Sequence, residues 1–194
     1  MKLKKPKFWD LKKPNIFSYV LLPISFLIQV AVYFKKEATI NDFKIKTICV
    51  GNIYLGGTGK TSLCIKINEI LKRKNVRSCF VKKFYKNQLD EQKILEKNGQ
   101  VFFSKNRIDS IKQAEQSKFD VAIIDDGLQD RSINYDKRIV CFNNINWIGN
   151  GMVIPSGPLR ESLYNIKKYD FIFLNGNLEN LENIKKEILK IQSE

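Results

Sequence analysis

A glycine-rich stretch that follows an apolar strand and opens a helix is the part of this sequence best suited to chemistry. Its seven residues are Gly56, Gly57, Thr58, Gly59, Lys60, Thr61 and Ser62. Glycines let backbone N–H groups turn inward around phosphates, the lysine adds a point charge, and the threonine hydroxyl can hold Mg²⁺. The stretch therefore predicts a nucleoside triphosphate site, with ATP and Mg²⁺ as the expected ligands and these seven residues as the binding set.

A dinucleotide-binding loop and a turn without a ligand both fit this stretch less well. The common phosphate-loop pattern has a glycine where this chain has Tyr54, so the match is to a tighter Gly-Gly-Thr-Gly-Lys-Thr variant. A dinucleotide-binding loop would need Ser62 as its third small residue and has no loop lysine. A glycine-rich turn without a ligand is disfavoured, because a strand, a helix and a lysine at the helix entrance occur together.

Paired carboxylates follow a second apolar strand. Residues 121–124 are apolar, and Asp125 and Asp126 come directly after them. In phosphate-loop proteins the acid that holds Mg²⁺ occupies such a position, and ligands of open α/β sheets gather at the carboxyl ends of strands. We therefore expect both acids to face Lys60 and Thr61, although Asp-Asp-Gly after a strand is on its own more often a turn.

A later glycine- and proline-rich stretch contributes one further chemical group. Residues 149–151 read Gly-Asn-Gly, and residues 157–161 read Gly-Pro-Leu-Arg-Glu. Such residues are ordinary loop formers. Arg160 differs, because a guanidinium aimed at a transferring phosphoryl group stabilises the charge that grows in the transition state.

Composition restricts the compartment and the chemistry. The chain has 194 residues, enough for one full core, and its net charge of +14 suits an anionic partner such as a nucleotide, a nucleic acid or a negative membrane surface. The four cysteines stand singly and histidine is absent, so we expect no zinc site and reduced core thiols in a cytoplasmic protein. Without histidine, acid–base work falls to carboxylates, lysine or tyrosine.

The N-terminal segment differs in kind from the rest. Residues 1–14 are rich in lysine, and residues 16–34 carry no charge. This run is barely long enough to cross a bilayer, has Pro23 in its middle and lacks a cleavage site, which disfavours a spanning helix and a signal peptide. The polar positions fall on one narrow line of a helical wheel: Ser18, Ser25, Gln29 and Lys36. This pattern favours an amphipathic helix lying in a membrane interface, with a buried core helix as the alternative.

From residue 46 onward, short apolar runs alternate with amphipathic stretches. This alternation predicts an α/β fold with a P-loop NTPase-like, mostly parallel sheet flanked by helices. Strands are expected at 46–50, 77–81, 101–103, 119–124, 139–142 and 171–174, and helices at 61–74, 91–97, 108–117 and 178–191. The predicted division is a membrane-associated segment at 1–36 and a phosphate-loop domain at 37–194.

Taken in order, these motifs resemble the tetraacyldisaccharide 4'-kinase family, a membrane-associated lipid A kinase of Gram-negative bacteria. The likeness covers essentially the whole chain. It rests on Val50-Gly51-Asn52-Ile53 before the glycine-rich stretch, on Asp125-Asp126-Gly127-Leu128-Gln129, and on residues 149–151 and 155–161. The resemblance implies ATP-dependent phosphorylation of the 4'-hydroxyl of a lipid A disaccharide 1-phosphate, with Mg²⁺. It also implies a peripheral or monotopic kinase at the cytoplasmic face of the inner membrane.

The resemblance implies roles for individual residues as well. Lys60 and Thr61 look like phosphate and metal contacts, and Arg160 looks like a phosphoryl clamp. Asp90, in an Asp-Glu pair after the second strand, looks like the family's catalytic carboxylate, which accepts the proton of the sugar hydroxyl. An N-cap role for Asp90 is a compatible alternative. The implied catalytic set is Lys60, Asp90 and Arg160, and the implied metal or active-site set is Thr61, Asp125, Asp126, Gln129 and Glu161.

Three departures from the family bear on activity. Asp130 stands where the family has a histidine, and Lys83-Phe84-Tyr85-Lys86 replaces its Arg-Gly-Tyr-Gly stretch, with a much shortened segment up to Asp90. The family also continues into a second, smaller domain that helps to close the cleft and supplies a histidine. This chain stops after one late strand and one helix, so we expect a compact enzyme, a truncated product or a chain whose activity has lapsed.

Two functions stay open from the sequence alone. A lipid kinase explains the N-terminal segment, the charge and every motif, whereas a nucleotide-binding module without kinase activity explains only the loop and the metal acids. The two differ at Asp90 and Arg160, which only a kinase needs. A nucleic-acid ATPase is disfavoured, because the lysines concentrate beside an apolar helix. We expect a monomer that binds the lipid substrate and an anionic membrane surface, and no nucleic acid.

Overall fold

The computed structural model describes residues 5–34, 43–85, 89–177 and 180–193. The chain forms two compact units. Residues 37–51 and 59–140 make up the first, called the core unit below, and residues 1–36, 52–58 and 141–194 make up the second, called the terminal unit. The division at residue 36 that the charge pattern favours concerns function and stays a prediction.

Six strands form one sheet in the order β3-β2-β4-β1-β5-β6. The strands are β1 (Lys46–Gly51), β2 (Ser78–Lys83), β3 (Val101–Ser104), β4 (Val121–Asp125), β5 (Lys137–Asn143) and β6 (Phe171–Asn175). Strand β1 pairs in parallel with β4 and β5, and β2 pairs in parallel with β3 and β4. The predicted α/β fold with a mostly parallel sheet is confirmed, and each expected strand is present with ends shifted by a few residues.

The helices also follow the predicted pattern from residue 60 onward. They are α1 (Ile16–Val20), α2 (Leu22–Tyr33), α3 (Lys60–Arg73), α4 (Leu89–Asn98), α5 (Arg107–Gln116) and α6 (Leu181–Ser193), with short 3-10 helices at Lys7–Asp10 and Leu163–Lys168. In the core unit, α3 packs on β1, β2 and β4, and α5 packs on β2 and β3. Helices therefore cover strands β1 to β4, which explains why these strands consist mostly of apolar residues.

Alternate side chains of the strands fill the core of the first unit. Cys79 and Val81 of β2 pack against Ile111 and Ala114 of α5. Phe80, which lies between them on the strand and therefore faces the other side of the sheet, is fully buried. All four cysteines are buried and unbridged, as the sequence predicts, and burial raises the pKa of the Cys79 thiol to about 12.

A reciprocal hydrogen-bonded pair fixes the central strand. The Thr47 amide and hydroxyl donate to one carboxylate oxygen of Asp136 at 2.9 and 2.7 Å, and the Asp136 amide donates to the Thr47 hydroxyl at 2.9 Å. Asp136 directly precedes β5, and β1 leads toward the glycine-rich loop. The pair thus sets the register of the strand that carries the loop.

The N-terminal segment differs from the single interfacial helix expected from its sequence. It forms α1 and α2 with a break at Leu21, because Pro23 in the first turn of α2 starts a new helix. The line of small polar residues faces the rest of the terminal unit. Ser18 accepts from the Asn150 side chain at 2.9 Å, and the Ser25 hydroxyl donates to Ser156 at 2.8 Å. Gln29 is exposed, and Lys36 lies outside the described residues.

The apolar side chains of α1 and α2 point outward. Phe26 and Leu27 are each about two-thirds exposed, and the others with large exposed surfaces are Ile16, Phe17, Tyr19, Val20, Leu22, Ile24, Ile28 and Val32. The alternative of a buried core helix is therefore wrong. None of the helices in the described ranges combines the length and hydropathy needed to span a bilayer.

Candidate functional site

The N-terminus of α3 provides the phosphate-binding end of the site. Gly59 is its N-cap and has a φ of 81°, a left-handed conformation that glycine adopts without strain. The Gly59 carbonyl accepts the first helical bond, from Leu63 at 3.0 Å. Lys60 is the first helical residue and Thr61 the second. Free amides and the helix dipole make this end favourable for an anion.

The paired acids lie beside this helix end. The Thr61 hydroxyl donates to Asp125 Oδ2 at 3.3 Å, and Lys60 Nζ forms an ion pair with Asp126 Oδ1 at 3.8 Å. Asp126 has a φ of 60°, and its amide donates to the Val50 carbonyl at 2.8 Å. The core unit thus brings together four of the residues predicted from sequence.

Asp125 is a fully buried carboxylate with an uneven set of partners. Oδ2 accepts from Thr61 and, at 2.7 Å, from Lys82 Nζ, whereas Oδ1 has no hydrogen-bond partner among the described residues. Lys82 also donates to Glu91 at 2.5 Å. Burial alone would lower the pKa of the Lys82 ammonium, but the charges and hydrogen bonds of Asp125 and Glu91 outweigh it and raise that pKa. Lys82 is therefore charged.

A buried arginine holds the turn that follows β4. Arg107 donates to the Asp126 carbonyl at 2.7 Å and to Asp130 Oδ2 at 2.8 Å. Asp130, which replaces the family's histidine, is thus a structural partner of Arg107. Burial raises the Asp130 pKa, but hydrogen bonds from Ser132 and Arg107 outweigh it and lower that pKa overall.

Glycine is required at position 127 of this turn. A Cβ there would lie 2.6 Å from the Ile124 side chain and 2.9 Å from both Cys49 Sγ and the Tyr135 hydroxyl. All three neighbours are buried core groups that cannot move away cheaply. The Asp-Asp-Gly sequence therefore serves the turn as well as the acids.

Three other predicted site residues of the core unit are partly or fully exposed. Gln129 is partly buried in the turn after β4, and Ser62 is exposed on the first turn of α3. Asp90 is exposed in the first turn of α4. Because α4 begins at Leu89, Asp90 is not the N-cap residue, and that alternative is wrong. Its carboxylate still suits the positive end of the helix dipole.

The first half of the glycine-rich loop belongs to the terminal unit. The Asn52 side chain donates to the carbonyls of Tyr54 at 2.5 Å and Gly56 at 3.1 Å, which curls the loop around its amide. The Tyr54 hydroxyl donates to Asp10 at 2.8 Å and accepts from Lys5. Thr58 is buried, and its hydroxyl has no hydrogen-bond partner among the described residues.

Arg160 follows a chain segment that pairs with this loop. The Arg160 amide donates to the Ile53 carbonyl at 2.6 Å, and the Leu55 amide donates to the Pro158 carbonyl at 2.8 Å. Glu161 accepts from Tyr169 at 2.6 Å and from the Asn165 side chain at 2.8 Å. Both carboxylate oxygens of Glu161 are thus occupied by protein donors, and its metal role stays a prediction.

The oxygen ligands of the core unit fit Mg²⁺ better than a metal ion whose ligands all come from protein side chains. Nowhere in the described ranges do three His, Cys, Asp or Glu side chains form a metal-binding group. Mg²⁺ needs only one or two carboxylates, because phosphate oxygens and water complete its shell. The unpartnered Asp125 Oδ1 and the Thr61 hydroxyl supply suitable oxygens.

Sequence reasoning missed the residues that hold these groups in place. Lys82 and Arg107 are buried cations, and Asn52 folds the loop. A lysine that ends the apolar run of β2 was the available signal for Lys82, because β2 and the acid-bearing strand end at the same edge of the sheet. Arg107 carried no comparable signal, and Asn52 belongs to the motif at residues 50–53, which predicts none of its contacts.

The family model described as LpxK, tetraacyldisaccharide-1-P 4'-kinase, matches residues 17–193. This chain belongs to the LpxK family. It is 60% identical over 191 residues to the tetraacyldisaccharide 4'-kinase of Pelagibacter ubique, a match covering 98% of this chain and 61% of that protein. The kinase of the same name from Rickettsia canadensis is 38% identical, over 83% of this chain and 54% of that protein.

A solved LpxK structure supports the fold. The LpxK of Aquifex aeolicus, crystallised in complex with ATP, superposes with a TM-score of 0.70 at 24% identity, over 86% of this chain and 61% of that chain. The chain therefore spans about three-fifths or less of the LpxK proteins that it matches.

Replacing Asp130 tests the role of the Arg107 pair. We expect Asp130→Asn to lower the free energy of unfolding at pH 7 by about 2 kcal/mol, because Arg107 would keep a buried charge without a counter-charge. Since the folded pKa of Asp130 lies below its ordinary 3.8, wild type loses this stabilisation only as the pH falls through that lowered value. Urea unfolding at pH 7 and at successively lower pH values below 3.8 measures both effects.

The control is Asp109→Asn, an exposed acid on α5, which should change stability by less than about 0.5 kcal/mol. Equal stability of wild type and Asp130→Asn at pH 7 would contradict the assigned role, as would a difference that persists in acid.

Proposed function

We propose that this chain is an ATP-dependent kinase that phosphorylates the 4'-hydroxyl of a lipid A disaccharide 1-phosphate. The observation that carries the proposal is the LpxK family match over residues 17–193. The contact between Thr61 and a buried Asp125 at the phosphate-binding helix supports it. The Pelagibacter and Rickettsia relatives bear the name of this activity, and the Aquifex LpxK binds ATP.

Binding of the nucleotide falls to the glycine-rich loop, residues 56–62 in this proposal. The amides at the start of α3 and the Lys60 ammonium bind the β- and γ-phosphates. Thr61 and Asp125 would hold Mg²⁺, which when bound draws off the charge of the transferring phosphoryl group. Asp126, Gln129 and Glu161 are proposed as further active-site groups.

The transfer step needs one proton acceptor. Asp90 takes the proton of the sugar 4'-hydroxyl as the oxygen of that hydroxyl forms a bond to the γ-phosphorus. The bond from that phosphorus to the β–γ bridging oxygen breaks, and ADP leaves with the electron pair. Lys60 and Arg160 stabilise the charge on the transferred group.

Transfer of label to lipid is the direct test. The purified chain is incubated with γ-labelled ATP, Mg²⁺ and lipid A disaccharide 1-phosphate in detergent micelles. We expect labelled lipid from wild type and at least ~100-fold less from Lys60→Ala and Asp90→Asn, because a phosphate contact or the general base is removed. Asp109→Asn, an exposed acid in the first turn of α5, is the matched control and should keep full activity.

Two results would go against this proposal. Binding of ATP without any labelled lipid would identify a nucleotide-binding module instead of a kinase. Full activity of Asp90→Asn would remove Asp90 from the proton-transfer step.

We also propose that residues 1–36 attach the kinase domain of residues 37–194 to the cytoplasmic face of the bacterial inner membrane. The outward apolar side chains of α1 and α2 support this proposal, since buried serines tie both helices to the protein. Exposed Lys7, Lys12 and Lys13 lie close by in sequence and would attract anionic lipid. The attachment is peripheral or monotopic.

Introducing negative charge on α2 tests the attachment. The double variant Phe26→Glu and Leu27→Glu should bind vesicles of anionic phospholipid at least about tenfold more weakly, because two large apolar groups no longer enter the bilayer. Its melting temperature should match wild type, since both side chains are exposed. Leu189→Glu, at an equally exposed position of α6, is the control for vesicle sedimentation. Unchanged binding by the α2 variant would exclude α2 as the attachment surface.

A further inference from the structure

Lys82 is a buried lysine that the function described above does not use. It lies at the end of β2 and pairs in register with Asp125 of the neighbouring β4. Its side chain is 3% exposed and that of Asp125 is fully buried, and their charged atoms are 2.7 Å apart. Removing two charges from water is costly, and an apolar pair of similar size is often as stable. The fold alone therefore does not require this pair.

The same ammonium reaches a second carboxylate. Lys82 Nζ lies 2.5 Å from an oxygen of Glu91, whose side chain is half exposed in the first turn of α4. Asp90, the proposed proton acceptor, is the neighbouring residue in that turn. One lysine thus joins the proposed metal acid on β4 to the helix turn that carries the proposed base.

Lys82 also determines which oxygen of Asp125 is left without a hydrogen-bond partner. Lys82 and Thr61 both bind Oδ2, and Oδ1 has no hydrogen-bond partner among the described residues. A carboxylate held at one oxygen by two donors cannot rotate freely. Its other oxygen, which is buried, is therefore fixed in one orientation.

We propose that Lys82 is a positioning residue that holds Asp125 with Oδ1 open for Mg²⁺ and anchors the first turn of α4 through Glu91. The inference rests on the proposed function for the identity of the metal and of the base. It assigns Lys82 no contact with the substrate. A residue that serves the fold alone would leave metal-dependent binding and the turnover constants unchanged in a folded variant.

The metal arm of the test uses binding instead of turnover. Titration with a non-hydrolysable ATP analogue gives the dissociation constant with and without Mg²⁺. We expect Lys82→Met to weaken Mg²⁺-dependent binding at least tenfold and to leave Mg²⁺-free binding within twofold of wild type. Lys66→Met, which breaks an exposed lysine–glutamate pair on α3, is the control and should change neither constant.

The helix arm uses Glu91→Gln, which should fold because Glu91 is half exposed. It keeps Asp125 and Lys82, so we expect Mg²⁺-dependent binding within twofold of wild type. We expect kcat to fall at least tenfold with KM for ATP unchanged, because the turn carrying Asp90 loses its anchor. Glu96→Gln, an exposed acid on the same helix, should keep the wild-type kcat.

Stability of the nucleotide-free protein supplies the third readout. Glu91→Gln should lower the melting temperature in the wild-type background and leave it unchanged in the Lys82→Met background, because the pair is already broken there. If Lys82→Met does not fold, the kcat and KM of Glu91→Gln decide the proposal.

The proposal is overturned if Lys82→Met binds the analogue with wild-type Mg²⁺ dependence, or if Glu91→Gln has the same kcat as Glu96→Gln. A wild-type chain that binds the analogue but transfers no phosphate would instead overturn the proposed function. The Mg²⁺-dependent binding of Lys82→Met would still decide the role of Lys82 in that case.

Discussion

The arrangement of the core unit depends on one requirement, which is that the buried carboxylate of Asp125 must have charged or hydrogen-bonding partners. Such a group is tolerated only with charged or hydrogen-bonding partners, and the sheet order supplies them. Strand β4 lies between β2, which carries Lys82 next to its last residue, and β1, which leads toward the glycine-rich loop. Helix α3 adds the Thr61 hydroxyl. The parallel arrangement brings these groups to one edge because all three strands end there.

The turn after β4 needs its own support. Asp126 adopts a left-handed conformation, which is uncommon for a residue other than glycine. Arg107 stabilises this conformation by binding the Asp126 carbonyl, and Asp130 balances the arginine charge. Asp130, which stands where the resemblance places a histidine, therefore has a partner on α5. Both carboxylate oxygens of Asp130 accept hydrogen bonds, from Arg107 and from Ser132.

Strands and helices of the core unit could be predicted because their apolar runs have clear lengths and boundaries. The pairing of Thr61 with Asp125 followed from strand order in the same way. The N-terminal helices could not be predicted as well. Small polar residues on an apolar helix suggest a face toward water, yet Ser18 and Ser25 are buried and bind protein groups. A hydropathy pattern gives the two faces of a helix but not which one contacts the protein.

The sequence also did not predict side-chain contacts other than those between the ends of neighbouring strands. Asn52 and Tyr54 shape the loop through contacts with a carbonyl two residues away and with Asp10, respectively. Neither interaction follows from a motif, because the glycine-rich pattern specifies backbone freedom and not the groups that fill the space around it. Residues with such contacts can be identified only from the folded structure.

The central claim is that Asp125 supplies the protein carboxylate for the metal at the phosphate-binding helix. Calorimetric titration of a non-hydrolysable ATP analogue into wild type and Asp125→Asn, with and without Mg²⁺, tests it most directly. The matched control is Asp109→Asn, an exposed acid in the first turn of α5. We expect Mg²⁺ to tighten binding to wild type and to the control but not to Asp125→Asn. Equal tightening in all three proteins would contradict it.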